Sequence, residues 1–176
     1  MKILLGLLII IFLHELGHLI AARVLRVEVK RCYVFFNPYF TICKFNIRQT
    51  QYGFGWLPFG GYTEFDERAT TSAKRLIIYC GGIIINLIFG FAILGSSAFT
   101  IIAEYVYCIS HGEIITLTQY SFIHLIAFFS ILNGFINLIP IGSLDGKKIY
   151  ASAKQTYNLI YIFRKYAKEK KKRAGR

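Results

Sequence analysis

Between Arg75 and Glu104 the chain runs for 28 residues without a charged side chain. A helix that crosses about 30 Å of hydrocarbon needs roughly 20 mostly apolar residues, and soluble cores rarely require an uncharged run this long. Two other runs are of the same kind, one from Ile3 toward Ala22 and one from about Tyr120 to Ile141. The chain therefore reads as an α-helical integral membrane protein with about three core transmembrane helices, over about 3–25, 76–100 and 120–141. A hydrophobic fraction of 55% excludes a disordered chain, and only three prolines exclude a collagen-like one.

The same chain is strongly basic, with 21 Lys+Arg against 9 Asp+Glu. Position decides what that charge means, because short cytoplasmic loops collect Lys and Arg. Seven cations lie between Glu28 and Arg75 and eleven after Asp145, whereas Ile101 to Gln119 holds only Glu104 and Glu113. Three crossings satisfy every loop, with the short N-terminus and 101–119 outside and the other two segments in the cytoplasm. The cationic end, Arg164 to Arg176, is read as meeting anionic lipid headgroups, and no nucleic acid partner is expected. A cleaved signal peptide over Met1 to Ala22 is disfavoured because His14-Glu15-Leu16-Gly17-His18 stands where small residues should mark the cleavage site.

Between the first two spans, segment 28–66 is rich in β-branched and aromatic residues, with a turn signal at Asn37-Pro38 and a glycine-aromatic stretch ending in PFGGY. It predicts a small sheet associated with the membrane. Residues 1–146 form the core in this reading, and 147–176 an amphipathic helix and basic tail. The four cysteines contain no CxxC pair and are read as reduced and structural. His124, Asn86 and Asn133 are read as polar packing groups that bond between helices, and Trp56 as part of an interfacial aromatic belt.

HELGH matches HExxH. On a helix it sets His14 and His18 one turn apart on one face, able to share a metal ion, with Glu15 placed to act as a base toward water. Ionisable groups inside an apolar span cost about 2.5 to 3.5 kcal/mol each on insertion scales, so they need a partner or a task. A divalent metal supplies both. A catalytic zinc usually takes three protein ligands. The soluble-protease extension xxGxxH is absent after His18, and no acid lies between Glu28 and Glu64. By hydropathy and loop charge, the acid that reaches the depth of HELGH is Asp145, beyond a helix stop at Pro140 and Gly142. Two histidines and a carboxylate suit zinc best and non-haem iron second.

HELGHLIAA, PFGGY, Gly81-Gly82 to Asn86 and NLIPIGSLDG together resemble the site-2 protease family of intramembrane zinc metalloproteases. The likeness covers nearly the whole chain and is nearest the minimal core of the stage IV sporulation protein FB type. One departure is Gly82-Ile83-Ile84-Ile85-Asn86, where the family commonly has GPxxN. The resemblance implies one Zn²⁺ held by His14, His18 and Asp145, Glu15 as catalytic base, and Asn137 as a polar residue near the oxyanion. It implies cleavage of a membrane-protein substrate in or beside its transmembrane segment, in the plasma (inner) membrane of a bacterium with the site near the cytoplasmic side. The alternative expectation is an inactive metal-site protein acting as a sensor or assembly subunit, and intact Glu15 argues against it. The oligomeric state is not legible.

Overall fold

The computed structural model describes residues 2–112 and 121–174. Residues 113–120, part of the expected external segment, and the last two residues of the basic tail lie outside the described residues. The element order is α1 (Lys2–Val24), β1 (Val29–Ile47), β2 (Thr50–Phe65), α2 (Ser72–Leu94), α3 (Ser97–His111), α4 (Phe122–Leu138) and α5 (Asp145–Ala174).

Helix α2 is the centre of the bundle and packs against both α1 and α4, whose contact with one another is smaller. Small residues make the α1–α2 contact possible. A Cβ on Gly17 would fall 2.3 Å from the Gly81 carbonyl oxygen, so the two backbones meet directly. Gly6 of α1 faces Ile126 and Phe122 at the start of α4, while His14 and His18 face Asp145 beyond its end, so α1 and α4 run the same way. That is the relative direction expected from loop charge.

The second apolar run is not one helix. It breaks at Gly95, whose φ of 54° ends α2, and continues as α3. Ala98 and Ile101 of α3 fold back onto Ala127, Phe128 and Ile131 of α4. The span expected over 76–100 thus ends at Leu94, and part of the expected 101–119 segment is helix. Among the described residues, two helices, Leu4–Val24 and Ser72–Leu94, are long and apolar enough to cross a membrane. The third expected span is the 17-residue α4, which rises about 26 Å at 1.5 Å per residue and stops before Pro140. Gly142, at φ 57°, turns the chain into α5.

The expected sheet is present, and its register is more folded than alternation alone suggests. Arg48, at φ 54°, makes a two-residue turn that sets Ile47 opposite Thr50 and Lys44 opposite Gly53. The Asn37-Pro38 signal falls where the register shifts between Phe36 and Thr41. Arg31 to Val34 is paired on both sides: Tyr33 lies opposite Gly53 on one and Tyr62 on the other. Its partners climb with it along Gln51 to Phe54 and run against it along Gly61 to Glu64. The Gly61 to Phe65 limb is therefore an edge, with no strand on its outer side among the described residues. Arg23 ties this sheet to α1, donating to Thr50 Oγ1 at 2.6 Å, and Thr50 Oγ1 donates on to the Val29 carbonyl at 2.7 Å.

The first half of α5 leans on α2, where Thr156 Oγ1 donates to Ser72 Oγ at 3.0 Å. Beyond it the helix leaves the bundle. Leu159, Ile160, Tyr161, Ile162 and Phe163 are each 45% exposed or more, so apolar residues ring the helix.

Candidate metal centre

His14 and His18 stand one turn apart on α1, and Asp145 opens α5. All three are buried, at 7%, 6% and 7% exposure. His14 Nε2 lies 2.9 Å from Asp145 Oδ2, His18 Nε2 lies 3.0 Å from the same oxygen, and the two Nε2 atoms are 3.2 Å apart. The sequence places the histidines together by helical spacing, and the fold brings Asp145 to them across 131 positions.

This triangle fits a zinc ion. Ligands about 2.0–2.1 Å from a tetrahedral zinc lie about 3.3 Å from one another, close to the three edges. The tautomer of one ring suits the same role. His18 Nδ1 donates to the Ile78 carbonyl at 2.8 Å, which leaves Nε2 as the ring nitrogen directed at the Asp145 carboxylate and the other imidazole.

Glu15 is buried at 4% exposure beside the triangle. Its Oε2 accepts a hydrogen bond from Thr63 Oγ1 at 2.7 Å. The edge limb of β2 lies over it, since a Cβ on Gly61 would sit 2.7 Å from Glu15 Cγ. Sequence reasoning missed Thr63, whose one signal is its place directly after PFGGY. Gly82, quoted from the sequence as part of the Gly81-Gly82 to Asn86 motif but given no role there, stands against the histidines: a Cβ on it would lie 2.6 Å from His18 Nε2.

A cavity of about 990 Å³ opens beside these groups, lined by Leu7, Ile10 and Ile11 of α1 and by Leu125, Phe129 and Ile136 of α4. It reaches His14, Glu15, His18, Asn137, Asp145 and the edge residues Gly60 to Thr63. Its size and mostly apolar wall suit an organic ligand or a peptide segment. Lys148 stands at its rim with Nζ 3.8 Å from Asp145 Oδ1 and 5.2 Å from the Tyr79 ring centre, another residue that its sequence context did not single out.

Asn137 lines this cavity, but its amide is engaged within α4. Nδ2 donates to the Asn133 carbonyl at 3.0 Å and to Asn133 Oδ1 at 3.3 Å. Asn133, expected to bond between helices, therefore bonds along its own. Asn86 does reach across helices, to His14, with Nδ2 and Nδ1 3.5 Å apart. His124 is exposed and hydrogen-bonded to Ser121. All four cysteines are free.

The family model described as Peptidase family M50 matches residues 2–168. A Borreliella burgdorferi protein provisionally named a zinc metalloprotease is 32% identical over 110 residues, covering 51% of this chain and 25% of the relative. A Synechocystis protein with the same provisional name is 30% identical over 108 residues, covering 53% of this chain and 29% of the relative. A chloroplastic membrane metalloprotease of Arabidopsis thaliana, also provisionally named, is 29% identical over 100 residues, covering 48% of this chain and 22% of the relative. In each case the matched stretch is less than a third of the relative's length.

Proposed function

The chain belongs to peptidase family M50, a membrane metalloprotease family, and on that premise we propose that it is a zinc endopeptidase acting on other membrane proteins. The bond it hydrolyses lies in or beside a transmembrane segment of the substrate, the chemistry of regulated intramembrane proteolysis. One observation carries this reading: a base, Glu15, lies buried beside a three-donor site at the end of an apolar cavity between two helices.

In this reading His14, His18 and Asp145 hold one Zn²⁺. Zinc so held would supply Lewis acidity, polarising a scissile carbonyl and lowering the pKa of a water molecule to about 7. Glu15 would take a proton from the attacking water and deliver it to the leaving amine. Thr63 holds Oε2 of the base, leaving Oε1 to receive the proton. The apolar wall of α1 and α4 keeps bulk water from the reacting groups. Asn137 donates to the developing oxyanion after turning away from Asn133.

A transmembrane helix shields its own peptide bonds, so the substrate must unwind before attack. The unpaired edge from Gly61 to Phe65 supports pairing with an extended substrate backbone, a strand-addition mode. The slack contact between α1 and α4 supports access from the lipid side. α4, completed by the turn at Pro140, serves as the third crossing. The proposed location is a bacterial plasma membrane, and loop charge supports an orientation with the site toward the cytoplasm and the tail on anionic headgroups.

The test pairs metal analysis with cleavage. Purified protein should carry one zinc per chain and cut a co-expressed single-span substrate. A His14→Ala, Asp145→Ala double variant should lose both properties. Metal retained at wild-type stoichiometry by that variant would end the proposed site, and zinc without cleavage of any single-span substrate would favour a non-enzymatic role.

A further inference from the structure

The two histidines differ in how their outer nitrogens are held. His18 Nδ1 has the Ile78 carbonyl, a group that can only accept, so the proton sits on Nδ1 and Nε2 is free to bind a cation. For His14 Nε2 to act in the same way, its Nδ1 must also carry a proton and needs an acceptor. The group that faces it is the side-chain amide of Asn86, 72 positions away on α2.

Asn86 is fully buried, at 0% exposure. Its Nδ2 stands 3.5 Å from His14 Nδ1, while its Oδ1 is a buried side-chain oxygen without a hydrogen-bond partner among the described residues. Two donors then face each other, and an acceptor is stranded in an apolar span. The oxygen and nitrogen of an amide are exchanged by a half-turn of the terminal torsion, and their assignment follows from the hydrogen-bond network. Turning the amide sets Oδ1 against His14 Nδ1–H and removes both faults together. The backbone carbonyl of Asn86 is held independently, accepting from Ser130 Oγ at 3.1 Å, which fixes α2 against α4 at this level.

We infer that Asn86 is a positioning residue for the metal centre: its Oδ1 accepts from His14 Nδ1–H and so presents His14 Nε2 as a ligand. The inference rests on the zinc reading above. An outer partner of this kind fixes the ring's tautomer and orientation and raises its basicity, and losing one typically weakens metal binding about 10- to 100-fold.

The test uses the full-length protein in detergent, with zinc affinity measured by competition against a chelator. Asn86→Leu, close in volume but without an acceptor, should bind zinc about 10- to 100-fold more weakly. Asn86→Asp, which keeps the acceptor and cannot donate, should stay near wild type. In protein labelled with ¹⁵N-histidine, zinc-bound wild type should show His14 protonated on Nδ1. Wild-type affinity in Asn86→Leu, equal losses in Leu and Asp, or an unprotonated His14 Nδ1 would each overturn the assignment. Failure of wild type itself to bind zinc would instead remove the reading on which it rests.

Discussion

Thr63 Oγ1 donates to Glu15 Oε2 at 2.7 Å, joining the edge limb of β2 to the HELGH turn of α1. A hydrogen bond to a charged group contributes about 1.5–3 kcal/mol, and each 1.36 kcal/mol is tenfold in rate. Thr63→Val should lower kcat about 10- to 100-fold with KM and zinc content kept, while Thr63→Ser recovers most of the loss. Steady-state cleavage kinetics check this. A Val variant with wild-type kcat would show that the hydroxyl does not position the base.

Glu15→Gln keeps the shape of the side chain and removes its basicity. Cleavage should fall by about 10²–10⁴-fold, the usual range for general acid–base catalysis, with zinc still bound. Retained activity would remove Glu15 from the mechanism.

Gly82 is a steric requirement of the metal centre. A methyl group there would lie 2.6 Å from His18 Nε2 and 2.8 Å from His14 Cε1. Gly82→Ala should therefore reduce zinc content while leaving helical circular dichroism unchanged. Full zinc loading in this variant would contradict the close contact between α2 and the two rings.

Cys32 and Cys43 lie on the same strand in opposite settings. Burial pushes the Cys32 thiol up to about 11, despite its contact with Thr63 Oγ1 at 3.7 Å, whereas Cys43 is exposed. At pH 8 only about a thousandth of Cys32 is thiolate. Maleimide at that pH should label Cys43 and spare Cys32 until the protein is denatured, as read by mass spectrometry. Native labelling of Cys32 would mean that the sheet does not cover it.

The sequence by itself determined what local chemistry can encode. HELGH places two imidazoles on one face because a helix repeats every 3.6 residues, and the stop before Asp145 follows from Pro140 and Gly142 whatever surrounds them. Asp145 could be matched to the histidines because hydropathy and loop charge set depth and direction, the two coordinates a membrane imposes on a chain. The break at Gly95 was hidden, since a glycine in an apolar run reads alike whether the helix continues or turns.

The tertiary structure alone decided which groups serve the site from a distance. Thr63 meets Glu15 across 48 positions, and Asn86 meets His14 across 72. These contacts depend on how deeply α1 sinks against α2 and how the edge of β2 is registered over both. Gly17 and Gly81 set that depth by letting the two backbones touch, and no periodicity within either helix shows which residues such an approach will bring together.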